Sequence, residues 1–381
     1  MSDCRRAGAR LLLPLLCLLA GCGGRPGASL PAAPAPAPAG EDRLLNVLNW
    51  SDYIAPDTLA AFERETGIKI NYDVFDSNEV LETKLLTGRT GYDVVVPTDY
   101  FLERQAKQGV LLPLERARLA NYANLDPAVL RQLDGVDPGN RYGVPYLATV
   151  TGIGYNVAKL RKALGPVPVD SWALVFEPKY AAKLKDCGYA LLDSESDVLI
   201  AARLYLGLEA DSERPEDLAA VEVLLLKIRP YVRYFHSSQY INDLANDEIC
   251  VVVGWSGDVL QARDRAREAG KGVEIGFAVP KEGASRSFDM LAIPADAPHP
   301  QNAHHFIDFL LRPAVAAEIM RFRKYPAPNL AAPPLLEPEL RNDPILFPAP
   351  EVIARLKPHR AESLTYTRYA NRAWTHIRTG R

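Results

Sequence analysis

Four short stretches of the chain combine aromatic rings, hydroxyls and carboxylates without an excess of lysine or arginine. They are Trp50-Ser51-Asp52-Tyr53, Thr98-Asp99-Tyr100-Phe101, Tyr234-Phe235-His236-Ser237-Ser238-Gln239-Tyr240 and Trp255-Ser256-Gly257-Asp258. Asp289, within Ser287-Phe288-Asp289-Met290, adds a carboxylate beside an apolar run. Ring faces attract ammonium groups and pack on methylenes, and aspartates neutralise charged ends, so this composition fits a cationic, partly apolar ligand. Each stretch alone has a plainer reading: a Trp or Tyr at a strand end packs a core, and Asp52 or Asp258 could cap a following helix. Four stretches of one composition outweigh that reading.

Covalent chemistry finds less support. The histidines are His236, His299, His304, His305, His359 and His376, with no H-E-x-x-H spacing. There is no C-x-x-C and no Walker phosphate loop; Gly254-Trp255-Ser256-Gly257 lacks the nucleophile-elbow spacing, and Gly152-Ile153-Gly154 is too short for a dinucleotide fingerprint. Two carboxylates distant in sequence could still form a hydrolase pair, which keeps an envelope enzyme as a rival reading. No cofactor or metal is implied.

The elements that must position these loops alternate. Strands are expected at 44–50, 68–75 and 92–96, with helices between them opened by Pro56 and by Ser77-Asn78-Glu79 and closed by Gly67 and Gly88. Further strands are expected at 189–193, 249–254, 273–279 and 290–293, with amphipathic helices near 197–207, 215–229, 258–268 and 301–311. Alternation of this kind predicts parallel α/β sheets, two lobes in number, with ligand at the loops beyond the strand ends.

The 381 residues and 41.9 kDa suffice for two domains, and 48% hydrophobic with 24% charged residues excludes disorder. Lys and Arg total 44 against 47 Asp and Glu, a net charge of −3 with no basic cluster, which argues against nucleic acid. Arg5, Arg6 and Arg10 precede an apolar run over 11–20, too short to span a bilayer, which reads as a signal peptide over 1–21. It ends in Leu19-Ala20-Gly21-Cys22, which resembles a lipobox and makes Cys22 the expected lipid anchor. Ordinary cleavage nearby, leaving a free thiol, is the alternative. The Gly, Pro and Ala of 22–42, with Pro31, Pro34, Pro36 and Pro38, read as a semi-extended tether. The folded part then carries only Cys187 and Cys250. In an oxidising envelope they pair, restricting the unfolded chain by about 4 kcal/mol, or they remain two buried thiols.

Longer stretches resemble the putrescine/spermidine substrate-binding proteins of bacterial ABC importers. They are Asn49-Trp50-Ser51-Asp52-Tyr53-Ile54, Phe75-Asp76-Ser77-Asn78-Glu79, Tyr92-Asp93-Val94-Val95-Val96-Pro97, the run from Tyr234 to Leu244, Gly254-Trp255-Ser256-Gly257-Asp258 and Pro280-Lys281-Glu282-Gly283. The resemblance implies a two-lobed periplasmic-binding-protein fold whose hinge closes the lobes on a ligand. It places Trp50, Ser51, Asp52, Tyr53 and Thr98 on the first-lobe side of the cleft, and Ser237, Trp255 and Asp258 on the second. Asp197, Asp289 and Tyr325 fall on further pocket positions, and Cys187 and Cys250 on those of a disulfide. Asp258 and Asp289 would be the main charge partners, Asp197 and Asp52 supplementary acids, and Trp50, Tyr53, Trp255 and Tyr325 the walls. Two departures bear on selectivity: Ser287 stands where relatives carry an aromatic wall, and Tyr100 replaces a small residue.

The expected lobes are 44–148 with a return near 280–330, and 149–279, with 331–381 packing across both. The expected partners are a polyamine and the permease and ATPase of an importer, reached by a monomer whose membrane contact is its lipid anchor. A sensor or scaffold lipoprotein with an altered amine pocket is the alternative.

Overall fold

A computed structural model describes residues 40–51 and 53–380; the signal peptide, Cys22, most of the tether and Asp52 lie outside the described residues. Glu41 and Asp42, expected in the tether, are among the described residues. The Glu41 carboxylate accepts the free N–H groups of Gln301 and Asn302, each at 3.0 Å, at the start of the helix Pro300–Leu310.

Among the described residues the ten strands are β1 (Leu44–Trp50), β2 (Lys69–Phe75), β3 (Val94–Val95), β4 (Gly143–Asn156), β5 (Tyr189–Leu191), β6 (Tyr234–Phe235), β7 (Val251–Trp255), β8 (Ile275–Ala278), β9 (Ala284–Ala292) and β10 (Leu356–Pro358). They form one continuous path, β2-β1-β3-β9-β4-β7-β5-β6, with β10 on β9 and β8 on β4. The early punctuation acts as expected. Pro56 opens the helix Pro56–Thr66, and Gly67, at φ 71°, closes it by donating to the Glu63 carbonyl at 2.9 Å. The Ser77 hydroxyl accepts from Val80 N at the start of the helix Asn78–Thr87.

Parallel pairing holds for β1 with β2 and β3, and for β5 with β6 and β7. The all-parallel expectation fails in the middle, where β4 runs antiparallel to β7, β8 and β9. This long strand joins the halves: Gly143 to Val150 pair with β9, and Thr151 onward pairs with β7. Its sequence hides it, because Gly143, Pro145, Gly152 and Gly154 read as breakers. Pro145 lies where the register against β9 shifts. Gly152 is required by close approach, since a Cβ there would lie 2.7 Å from the Ala278 carbonyl oxygen. β9 likewise begins at Ala284 rather than 290. The expected strand at 92–96 shrinks to β3 because the Asp93 carboxylate serves Asn46 N and His299 N instead.

Three sets of buried residues flank this middle. Leu45, Val94, Ile293 and Phe306 fill one face of the first lobe, and Leu48, Leu102, Phe288 and Met290 the other. Trp172, Val198, Leu225 and Val252 centre the second lobe, and the final helix Leu364–Thr379 packs there through Tyr366, Trp374 and Ile377. Just before that helix, Arg360 donates to Gly135 O at 3.2 Å in the first lobe, so the C-terminal stretch touches both halves. Cys187 and Cys250 form a disulfide with Cα atoms 5.5 Å apart, tying the helix Pro178–Cys187 to the start of β7.

Candidate functional site

The polar loops converge where the lobes meet. On the strand shared by both halves, Ser285, Ser287 and Asp289 alternate along one face of β9, as the two-residue strand period requires. Asp289 is 5% exposed and accepts a hydrogen bond from the Tyr53 hydroxyl and another, at 2.9 Å, from Thr98 Oγ1. Thr98 sits just after β3, bridged to Asp289, and is fixed by Asn78, which donates to its hydroxyl at 2.9 Å and accepts from its N–H at 3.0 Å. Burial raises the Asp289 pKa to about 6, against the hydrogen bonds of Tyr53 and Thr98, which stabilise the carboxylate. Asp99, buried beside it, is pushed well above the usual carboxylate range by burial first and by Asp289 among the further causes.

Asp258 lies in the first turn of the helix Ser256–Glu268, which follows β7 directly, and its carboxylate turns into the cluster. Tyr240 donates to Oδ2 at 2.8 Å from the same lobe. Tyr325 donates to Oδ1 at 2.7 Å, and the Arg323 guanidinium lies 3.5 Å from the same oxygen. Burial raises the Asp258 pKa while Arg323, Tyr325 and Tyr240 oppose it. The Tyr53 and Tyr325 rings stand 6.1 Å apart between the two acids, with Arg323 over both, 5.0 and 5.5 Å from their centroids.

Asp197 lies in the first turn of the helix Glu195–Tyr205 and accepts from four neutral donors. These are Thr151 Oγ1 at 2.6 Å, Ser285 Oγ at 2.8 Å, Ser194 Oγ at 2.8 Å and Trp255 Nε1 at 3.1 Å. Trp50 closes β1 with its indole donating to Val96 O at 2.9 Å and its ring 4.5 Å from Phe75.

The structure thus gathers Tyr53, Thr98 and Asp289 in one group, Asp258 and Tyr325 in a second, and Asp197 with Trp255 in a third. Ser51 is exposed and bonds Asp76 at 3.1 Å, outside these groups. Ser237 is half-buried in the turn between β6 and the helix Gln239–Ala245. Tyr100 stacks on His359, centroids 3.7 Å apart, and burial keeps the His359 pKa down at about 4. His359 follows β10, which pairs in parallel with the start of β9. Ser287 is 7% exposed, and its carbonyl accepts from Thr149 at 3.5 Å.

Sequence reading missed Tyr240 as a site residue, together with Arg323, Asn78, Ser285 and His359. Tyr240 lay inside a flagged aromatic stretch and Arg323 two residues from Tyr325, so proximity was the only signal. Among the described residues no group of His, Cys, Asp and Glu could hold a metal ion, and no helix is long and apolar enough to cross a membrane.

Two buried acids and the half-buried Asp197, met by hydroxyls and aromatic rings, can hold a cationic ligand, and among the described residues no nucleophile with an adjacent general base stands with them. Comparison with known proteins agrees. The chain is 49% identical over 346 residues, 91% of its length and 94% of the relative's, to the putrescine-binding periplasmic protein SpuD of Pseudomonas aeruginosa. It is 49% identical over 345 residues, 90% and 93% of the two chains, to the putrescine-binding periplasmic protein PotF of Escherichia coli. Among solved structures, a spermidine/putrescine ABC transporter protein from Listeria monocytogenes superposes with a TM-score of 0.79 at 30% identity, over 89% of this chain and 100% of that one. The family model for bacterial extracellular solute-binding proteins matches residues 57–348. The chain belongs to the bacterial extracellular solute-binding proteins, with the two-lobed fold of periplasmic binding proteins, and is a transport component rather than an enzyme.

Proposed function

We propose that the protein captures putrescine or a related polyamine in the cleft and delivers it to the permease and ATPase of an ABC importer. The carrying observation is the pair Asp289 and Asp258, both buried and both held by tyrosine hydroxyls, with the Tyr53 and Tyr325 rings between them. An alkyl diamine has charged ends and an apolar middle, so two acids with rings beside them match both its charge and its apolar stem. Asp197 and Asp52 supplement the charge, Trp50 and Trp255 extend the walls, and Ser51 and Ser237 are proposed rim contacts. Lobes 44–148 with 280–330, and 149–279, close on the ligand about β4 and β9. The mature chain acts as a monomer held to the membrane by lipid on Cys22.

Calorimetric titration of ligand-stripped protein with putrescine, cadaverine, agmatine and spermidine tests the reading. Saturable one-to-one binding of at least one amine is expected, and that amine should be recovered unchanged. No heat with any of the four contradicts it. Growth on the bound amine as nitrogen source, lost on deletion of the protein, tests the transport step.

A further inference from the structure

We infer that Arg323 is a specificity-determining residue, a resident cation that competes with a ligand's ammonium group for Asp258. This rests on the polyamine reading of the cleft and concerns how strongly each end of a diamine is held. Arg323 closes the helix Pro313–Arg323 and is 7% exposed, an uncommon position for an arginine unless its charge is matched. Its guanidinium stands 3.5 Å from Asp258 Oδ1 and over the faces of Tyr53 and Tyr325, the rings that flank the path between the two acids. It also donates to Gln261 Oε1 at 3.2 Å, and Gln261 Nε2 reaches both Asp258 Oδ1 and the Arg323 carbonyl, each at 3.4 Å. The positive charge is therefore held in place from two sides.

The Asp258 carboxylate is correspondingly occupied. Tyr240 takes Oδ2, while Tyr325, Gln261 and Arg323 converge on Oδ1. An arriving ammonium must share that oxygen with a fixed cation, and at such separations in a buried site the repulsion is large. Asp289 differs, because its hydrogen-bond partners Tyr53 and Thr98 are neutral hydroxyls. A diamine therefore gains one strong ionic contact, at Asp289, and a weakened one at Asp258. The guanidinium and the aromatic faces would tolerate a neutral polar group at that second end.

The test compares putrescine with 4-aminobutan-1-ol, which has the same length and a single ammonium. Both are titrated into the purified protein, into Arg323→Met and into Arg323→Gln, which keeps a hydrogen-bond donor for Asp258 but no charge. Thermal melts confirm that each variant is folded. Removing the cation should raise the preference for putrescine over the amino alcohol about tenfold, by tightening putrescine while the amino alcohol changes little. A residue that only packs would move both ligands together. An unchanged ratio in a folded Arg323 variant overturns the inference while leaving the polyamine reading intact. Failure of the unaltered protein to bind either amine removes both, and that result appears before any variant is measured.

Discussion

Asp289 and Asp258 are the same residue type at nearly the same burial, 5% and 4% exposed, yet their surroundings give them different work. Asp289 is met by two neutral hydroxyls, which stabilise its charge without cancelling it. Asp258 is met by two tyrosine hydroxyls and a guanidinium, which supplies a countercharge before any ligand arrives. Burial raises the pKa of both, so it does not distinguish them. The identity of the partner does: neutral donors leave an acid open to an external cation, and a buried arginine spends the same acid internally.

The comparison breaks most readily at Asp289. Asp289→Asn should weaken putrescine by about 100-fold or more, because it removes the buried charge whose hydrogen-bond partners are all neutral while keeping the shape. Calorimetry reads the loss, and a change under tenfold would move the main ammonium site elsewhere.

The pH dependence sharpens it. With its pKa at about 6 in the ligand-free protein, Asp289 must lose a proton to receive an ammonium, so affinity should fall about tenfold between pH 7 and pH 5, with proton release near pH 6. Ligand-free stability runs the opposite way. A carboxyl whose folded pKa is raised above its unfolded value stabilises the fold below the unfolded value. That contribution is lost as pH rises through about 4 to about 6. Titration in buffers of different ionisation heat, and chemical denaturation across this range, read the two effects; Asp289→Asn should lose the Asp289 share of each, while the other buried acids with raised pKa keep theirs.

Smaller effects are expected away from the acids. Tyr100→Ser unstacks His359 and should change the ratio of spermidine to putrescine affinity by only a few fold, the scale of one ring contact. Reducing the Cys187–Cys250 disulfide should cost about 2 to 4 kcal/mol of stability, read by denaturant titration, and leave the affinity ratio of the amines where it was. A changed ratio would couple the second-lobe core to the cleft.

Much of this arrangement was legible in the residues. The run at β1, mostly apolar with Asn46 and Asn49 inside it and no Gly or Pro, matches the structure end to end. The loops carrying Trp50, Thr98, Trp255 and Asp289 stood out because aromatic and acidic side chains cluster there without basic ones. The central strand β4 was not legible, since glycines that permit close backbone approach look the same as glycines that break strands. Arg323 was opaque for a related reason. It sits in the basic run Arg321-Phe322-Arg323-Lys324, where nothing local separates one buried guanidinium from its solvated neighbours, and only the tertiary approach of Asp258 makes the difference. His359 follows Lys357 and Pro358 in a segment without periodicity, and it reaches Tyr100 only because β10 pairs with β9.

The inequivalence of the two acids is tested most directly by neutralising each site as a whole. Putrescine is titrated into Asp289→Asn and into the double variant Asp258→Asn with Arg323→Met, which removes both members of the Asp258–Arg323 pair together. The double variant should stay within about tenfold of the unaltered protein while Asp289→Asn loses about 100-fold or more. Equal losses in the two would show that Asp258 holds the ligand as strongly as Asp289 does, and would contradict the account.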